Sequence, residues 1–395
     1  MSRSNTNHSY GSVAKTFHWL TALLIITLIA LGIIANGMAY DTSEQLARKA
    51  FLFSMHKTLG VTMFFVALAR IGWAFKQPKP NGLHPERKAE SWLAETIHWL
   101  LYGSLVIVPL TGWIHHAAST GFAPIWWPFG QNLPFVAKSE STSELFAGFH
   151  IIFERVLVAS ILLHVAGALK HNFVDKDATL RRMWFGASNA PKTTGEHSTI
   201  LPLGSALIAW AAALFIGTAI GVFEHGDQAQ ETAALETVAS DWTVQSGAIS
   251  IKIDQFGSEV TGSFEDWTAA ITFDPDTGLG TAEVTIAITS LTLGSVTSQA
   301  LGPDFFDTAT FQTAVFAADL TPTADGHMAS GTLQIRDKTL PIEMPFALST
   351  ADGVTSMQAM TTLNRLDFDI GKGMGDESSL KFPVDVQIML TATPN

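Results

Sequence analysis

The chain has 395 residues, of which 47% are hydrophobic and only 15% are charged, and it contains no cysteine. This charged fraction is well below the usual quarter of soluble proteins and, with a mean hydropathy of +0.25, predicts membrane-spanning segments. The lack of cysteine excludes disulfides, thiolate-held iron–sulfur clusters, cysteine zinc sites and haem attached through thioether bonds.

Charge is distributed unevenly along the chain. Residues 1–225 contain 17 Lys/Arg and 12 Asp/Glu, a balance of +5, whereas residues 226–395 contain 6 and 23, a balance of −17. Two parts in different environments therefore meet near residue 225, and the acidic second part argues against nucleic-acid binding. Twelve of the 13 histidines lie in the first part, with only His327 beyond it, so metal or redox chemistry is expected there.

Five apolar stretches are long enough to cross a bilayer, which takes about 20 residues. They cover residues 17–38, 51–75, 92–116, 146–170 and 200–223. The first is too long for the apolar region of a cleaved signal peptide. Eleven Lys/Arg lie in the segments on one side and three on the other, which predicts a cytoplasmic N-terminus, with the chain beyond about residue 224 outside. In a bacterium this is a multi-pass inner-membrane protein with a periplasmic C-terminal part.

Histidines inside the spans are expected to carry chemistry, because ionisable side chains within a membrane are costly and usually functional. His150 and His164 are 14 residues apart, which on a helix places them on one face and about 21 Å apart along the axis. His150 then matches the depth of His56 near the outer face, and His164 that of His18 near the inner face. This pattern predicts two bis-histidine haems in a helical bundle. The alternative is that these histidines are buried polar contacts between helices.

Other polar residues in the spans leave alternatives open. His98 has the depth to compete for the inner haem, and His171 lies near the cytoplasmic boundary. Either histidine could be a quinone contact, a proton contact or a boundary residue. Arg70 and Arg155 each require an anion, for which haem propionates are candidates, with Glu154 a local alternative.

Residues 10–186 resemble the bacterial cytochrome b561 family. The resemblance lies in Lys15–Trp19, Met55–Gly60, Ile97–Tyr102 and Pro109–Gly112, together with His150 and His164. In that family four helices carry two b haems. The resemblance therefore implies His18, His56, His150 and His164 as axial iron ligands, in the pairs His18–His164 and His56–His150, with His98 outside the usual set. It also implies electron transfer to or from membrane quinones, and some members resemble a superoxide oxidase.

From residue 241 onward the apolar periodicity changes from helical to a period of two, as in Ile249, Ile251 and Ile253. Further runs of this kind cover 267–273, 284–288, 312–318, 330–336, 340–348, 355–364 and 384–392. Short alternating strands at this spacing predict a sandwich or a closed barrel.

This second part resembles the YceI-like family. The resembling stretches are Ser258–Phe264, Asp304–Phe306, Gly331–Arg336 and Asn364–Phe368. The resemblance implies a lipocalin-like barrel that encloses a long isoprenoid chain, such as a quinone tail; the alternative is a barrel filled by its own side chains. At two places where that family usually has histidine, this sequence has Gln255 and Gln299.

The predicted organisation is multidomain, with an α-helical membrane bundle followed by an all-β lipocalin-like barrel. The segments are 1–186 (four haem-binding spans), 187–199 (cytoplasmic linker), 200–224 (fifth span), 225–240 (linker) and 241–395 (barrel).

The expected function is that of a membrane di-haem b-type cytochrome. It would carry electrons between a periplasmic or membrane donor and the quinone pool, a quinone-linked oxidoreductase activity, while the tethered barrel binds ubiquinone or another isoprenoid. Nicotinamide and flavin are not expected, since no G-x-G-x-x-G follows a strand. The alternative is a lipid-binding stress-response protein with a membrane anchor. Five spans with depth-matched histidines disfavour it, because one helix suffices as an anchor.

Overall fold

A computed structural model describes residues 2–119, 121–128, 130–186, 200–223, 235 and 239–395. The chain divides into two compact units. The first contains Met1–Gly37, Leu52–Ala118 and Pro124–His225, and the second contains Met38–Phe51, Ser119–Ala123 and Gly226–Asn395. The predicted linker 187–199 lies outside the described residues, as does most of the linker 225–240.

The first unit is helical. Its helices are α1 (Ser12–Gly37), α2 (Ser43–Phe75, whose first residues belong to the second unit), α3 (Lys88–Ala118), α4 (Glu140–Lys170), α5 (Thr179–Met183) and α6 (Ile200–Ala219). A π-helical turn, His171–Asp175, continues α4. All of these except α5 are long and apolar enough to span a bilayer. The five predicted spans are thereby confirmed, and the protein is a membrane protein.

Small residues let these helices pack closely. The apolar centre of the bundle is formed by Ile25, Met63, Leu105, Phe153 and Leu157, all of them buried. A Cβ atom at Gly103 of α3 would overlap the Trp210 ring of α6, and one at Gly217 of α6 would overlap Ile152 of α4. The fifth long helix therefore lies directly against α3 and α4.

The second unit is built on a ten-stranded antiparallel sheet with the order β3-β4-β6-β7-β8-β9-β10-β1-β2-β5. The strands are β1 (Trp242–Gln255), β2 (Ser258–Phe264), β3 (Trp267–Asp274), β4 (Leu279–Ala287), β5 (Leu291–Thr292), β6 (Thr313–Thr323), β7 (Gly326–Ile335), β8 (Lys338–Ala351), β9 (Val354–Asn364) and β10 (Pro383–Pro394). A short helix, α7 (Thr297–Leu301), and three 3-10 turns (Ile288–Ser290, Gly294–Val296 and Arg365–Phe368) lie between strands.

The sheet curls so that edge strand β3 approaches the start of β1. The Asp241 amide donates to the Ile271 carbonyl at 3.0 Å, and the Trp242 indole N–H donates to the Phe273 carbonyl at 3.0 Å. Alternate residues such as Ile249 and Ile251 are buried on the concave side, as the period of two requires. The all-β lipocalin-like fold is thereby confirmed. β2 and β5 were not among the predicted runs.

Candidate functional site

His56 and His150 face each other across the helical unit, α2 supplying one and α4 the other. Their ring centres are 6.5 Å apart and their planes are inclined at 83°. An iron atom at about 2 Å from a nitrogen of each ring, with about 1.1 Å more to each ring centre, would separate the centres by about 6 Å. The spacing fits a metal ion between the two rings, and His56 and His150 are the residues that would hold a haem iron there.

Both rings are oriented by a backbone carbonyl of a neighbouring helix. His56 Nδ1 lies 2.9 Å from the Leu28 carbonyl of α1, and His150 Nδ1 lies 2.8 Å from the Val108 carbonyl of α3. An Nδ1–H that donates to a carbonyl fixes the tautomer and leaves Nε2 with a free lone pair for a metal. These rings therefore have the second contact that metal-binding imidazoles usually make.

Two glycines allow this arrangement. A Cβ atom at Gly112 of α3 would lie 2.9 Å from His150 Nδ1, and one at Gly32 of α1 would lie 3.2 Å from His56 Cε1. Any larger residue at Gly112 would have to displace the imidazole. Gly112 belongs to the Pro109–Gly112 motif, but its contact with His150 could not be predicted from sequence, because it depends on the relative rotation of α3 and α4.

His18 of α1 and His164 of α4 form the second pair, with ring centres 6.1 Å apart and planes inclined at 57°. His98 of α3 also lies beside His164, at 5.3 Å between ring centres. Three histidines thus meet at this depth. The spacing of His18 and His164 is the one that leaves room for an iron between the rings, and His98 is too close to His164 for that arrangement.

The two arginines within the spans differ in their surroundings. Arg70 lies close to the three-histidine group, where its guanidinium donates to Thr21 Oγ1 at 2.5 Å and lies 5.2 Å from the Tyr102 ring centre. Arg155 is largely exposed and contacts Glu154 at 3.5 Å. Arg70 is thus placed to meet an anionic group near the inner pair, while Arg155 has the local helix-surface partner.

Other histidines of the described bundle lie outside these two pairs. His115 Nδ1 lies 2.8 Å from the Ser143 carbonyl, and the His115 and His116 ring centres are 4.3 Å apart at the end of α3. His171 lies beyond α4, where it contacts Asp177 and stacks near His84 at 6.1 Å. His197 and His225 lie outside the described residues.

The curled sheet encloses a cavity of about 250 Å³. It is lined almost entirely by apolar side chains, among them Trp242, Phe264, Phe316, Met344 and Leu390. Dry apolar cavities of roughly 150 Å³ bind molecules the size of benzene, so this cavity can hold a segment of an apolar chain. The side chains of the sheet therefore do not fill its interior.

A few polar side chains also reach the cavity wall. Neither Gln255 Oε1 nor Gln299 Nε2 has a hydrogen-bond partner among the described residues, although both atoms are buried. Arg365, in contrast, donates to five backbone carbonyls, those of Lys381, Ile370, Gly371, Met374 and Leu380. A buried amide without a partner costs about 1–3 kcal/mol, so the two glutamines are the polar groups available to a bound molecule.

Comparisons with known proteins agree with this division. Residues 9–186 match the family model of the prokaryotic cytochrome b561, and residues 241–392 match that of the YceI-like domain. The helical part is similar to "Cytochrome b561 homolog 2" of Escherichia coli (strain K12), with 28% identity over 185 residues, covering 46% of this chain and 95% of the relative. It is also similar to "Probable superoxide oxidase CybB" of Yersinia pestis, with 25% identity over 175 residues, covering 44% and 94%.

Solved structures resemble the β part. BcnA of Burkholderia cenocepacia has 26% sequence identity and a TM-score of 0.36, covering 37% of this chain and 96% of its own. A polyisoprenoid binding domain from Saccharophagus degradans has 13% identity and a TM-score of 0.31, covering 40% and 99%.

Proposed function

We propose that this protein is a quinone-linked electron carrier with two b haems. The premise is that the chain joins a prokaryotic cytochrome b561 domain at residues 9–186 to a YceI-like domain at residues 241–392. The observation that carries the proposal is the pair of histidine sites, with ring centres 6.5 and 6.1 Å apart. When bound, haem would supply the one-electron redox chemistry.

The chain's own residues orient and separate the two sites. His150 and His164 are both on α4, about 21 Å apart along its axis, so one rigid helix sets the distance between the sites. Leu28 and Val108 carbonyls hold the rings of the outer pair. Arg70, beside the inner pair, is placed to neutralise a haem propionate.

The proposed orientation places the protein in a bacterial inner membrane with a cytoplasmic N-terminus and a periplasmic β domain. Lys and Arg are concentrated in the segments 1–15, 76–88 and 170–192, 11 residues against 3 on the opposite side. His56 and His150 are then near the periplasmic face, and His18 and His164 near the cytoplasmic face. Electrons would cross the membrane between the two pairs.

The β domain is proposed to bind an isoprenoid quinone. Its cavity suits an apolar isoprenoid tail, since the lining is apolar and the enclosed volume is about 250 Å³. Gln299 Nε2, which has no partner among the described residues, would donate a hydrogen bond to a carbonyl oxygen of a quinone head group. Gln255 Oε1, also without a described partner, would accept a hydrogen bond from a hydroxyl group of the reduced quinol. A charged head group would find no described side-chain counter-ion in the cavity, because the donors of Arg365 are occupied by carbonyls.

The test is the haem content of the purified full chain, measured by pyridine haemochrome and by a reduced-minus-oxidised spectrum. We expect two low-spin b haems per chain. Alanine at His56 or His150 should remove the outer haem alone, and alanine at His18 or His164 the inner haem alone. His98→Ala is the matched control on α3 and should keep both haems.

Each alternative gives a different result. A loss of one haem in His98→Ala, together with its retention in His18→Ala, would reassign the inner pair. A chain without haem whose β domain still binds isoprenoids would contradict the electron-carrier proposal and favour a lipid-binding protein with a helical anchor.

A further inference from the structure

A second group of histidines and carboxylates lies just beyond the end of α4, away from the haem pairs. We propose that His84, His171 and Asp177 form a binding site for a divalent cation that prefers nitrogen and oxygen ligands, best matched by Zn²⁺. One ligand atom from each residue lies within 4.8 Å of the other two. Nothing in the proposed electron-transfer function uses this group.

One carboxylate oxygen joins the two imidazoles. Asp177 Oδ2 lies 2.9 Å from His84 Nε2 and 2.7 Å from His171 Nδ1. The two rings are nearly parallel, inclined by 11°, with centres 6.1 Å apart. Ligand atoms around a tetrahedral zinc at 2.0–2.1 Å are separated by about 3.3 Å, so each of these two nitrogen–oxygen distances would lengthen by about half an ångström when the ion binds.

The far nitrogen of each ring also faces a carboxylate. His84 Nδ1 lies 3.2 Å from Glu86, and His171 Nε2 lies 3.1 Å from Glu90. Imidazoles that bind a metal through one nitrogen usually donate the other N–H to such an oxygen, which fixes the ring and strengthens the ligand. Both proposed histidine ligands have this arrangement, which a simple surface ion pair does not require.

A neighbouring group, Glu90, His171 and Asp175, has similar spacing but is already neutralised. Lys170 contacts Glu90 at 2.6 Å and Asp175 at 2.9 Å, and Arg87 contacts Asp175 at 3.1 Å. Among the described ion pairs, Asp177 contacts only the two histidines. A cation entering this region would therefore be attracted to Asp177 and not to the carboxylates that hold lysine and arginine.

The chain geometry that positions Asp177 is unusual. α4 ends in the π-helical turn His171–Asp175, and Lys176 follows with φ 55° and ψ 33°, a left-handed conformation that is costly for a non-glycine residue. The Asp177 amide then donates to the His171 carbonyl at 3.0 Å, and Asp177 Oδ1 accepts from the Thr179 amide at 2.8 Å. Single π-helical turns occur frequently at functional sites, and this one returns Asp177 to the ring of His171.

The site is accessible enough to exchange an ion. The side chains of His84, His171 and Asp177 are 30%, 18% and 12% exposed. Two imidazole nitrogens and one carboxylate oxygen suit Zn²⁺, with water in the fourth position. Magnesium and calcium, which prefer oxygen ligands only, fit the site poorly.

The test is Zn²⁺ binding to the full, tag-free chain after dialysis against a chelator, measured by calorimetry and by metal content. We expect one Zn²⁺ per chain. His84→Gln and Asp177→Asn should each weaken binding by at least tenfold, and Glu86→Gln by about tenfold, the lower end of the effect of such outer partners. His327→Gln, in the β domain, is the matched control and should bind as the wild type does.

An experiment without mutation guards against variants that fail to fold. Diethylpyrocarbonate modification of the wild-type chain, mapped by mass spectrometry, should decrease at His84 and His171 when one equivalent of Zn²⁺ is added. Modification of His327 should not change. The proposal is overturned if Zn²⁺ leaves His84 and His171 unprotected, if no stoichiometric binding is found, or if folded His84→Gln binds as tightly as wild type.

Discussion

Replacing Gly112 by alanine should selectively weaken the outer haem. The added methyl group would lie 2.9 Å from His150 Nδ1 and 3.0 Å from Cε1, where ordinary contacts are 3.4–4 Å. The ring must therefore move by about half an ångström or more, which disturbs the 2.8 Å hydrogen bond to the Val108 carbonyl.

The magnitude follows from two contributions. Overpacking costs about 1–3 kcal/mol, and a lost hydrogen bond about 0.5–1.5 kcal/mol. Together they amount to about 2–4 kcal/mol, or a loss of affinity between about 30-fold and 1,000-fold at 1.4 kcal/mol per factor of ten. The inner haem should be unaffected, because His164 lies about 21 Å from His150 along α4.

The assay is the rate of haem transfer from the purified protein to excess apomyoglobin, which resolves a fast and a slow haem if only one site is weakened. Gly204→Ala on α6 is the control, because a Cβ atom there meets no atom within 4 Å. If Gly112→Ala releases both haems at the wild-type rate, the reasoning that Gly112 positions His150 as a haem ligand is refuted.

Three further predictions concern the β domain and the loop after α4. Gln299→Leu should lower the affinity for an isoprenoid quinone by about tenfold, the value of one hydrogen bond in a buried site, because it removes the Nε2 donor. A hydrocarbon of equal length should bind as before. Gln245→Leu on the exposed surface is the control, and an equal loss for both ligands would refute a head-group contact. Arg365→Lys should destabilise the β domain by about 2–4 kcal/mol, because lysine has three donors for the five carbonyls that Arg365 contacts. Proteolysis of the full chain in urea measures this loss of stability. A variant that resists proteolysis as well as the wild type does would contradict the prediction. Burial raises the pKa of Asp177, but hydrogen bonds from Thr179 and the two imidazoles outweigh burial and lower this pKa from 3.8 to about 2. A carboxyl group whose pKa is lower in the folded than in the unfolded state stabilises the fold at pH values above its unfolded-state pKa. This stabilisation is lost as the pH falls through the folded-state pKa. Asp177→Asn should therefore lower the thermal midpoint of the zinc-free protein at neutral pH, and its difference from wild type should shrink as pH falls from about 4 towards 2; a difference independent of pH would refute the assignment.

The features that could be predicted from sequence are those that depend on local periodicity. The helical repeat of 3.6 residues placed His150 and His164 on one face of α4, and the structure has each ring beside a histidine of another helix. Alternation of apolar residues located β1, β3 and β4 in the same way. β2 was not detected because Gly262 stands between Val260 and Phe264 in its apolar series. β5 has only two residues, too few for any period to be detected.

Features that depend on contacts between distant segments could not be predicted. The contact of Gly112 with His150 requires the rotation of α3 against α4, and the group around Asp177 requires the π-helical turn and the arrival of His84 from 93 residues earlier in the chain. The departure from histidine at Gln255 and Gln299 was visible in the sequence. That Gln255 Oε1 and Gln299 Nε2 are buried with no partner in the described part of the chain depends on the folding of the sheet and could not be predicted.

The placement of His150 and His164 on a single uninterrupted helix also restricts how this gene can change. One inserted or deleted codon between them would rotate one imidazole by about 100° relative to the other and shift it by about 1.5 Å. Seven added residues would restore the direction in which the two imidazoles face to within about 20°. They would also lengthen the helix by about 10.5 Å and move one ring away from the depth of its partner histidine. Substitutions between His150 and His164 can therefore be tolerated, whereas the spacing of 14 residues must stay the same for both sites to be kept.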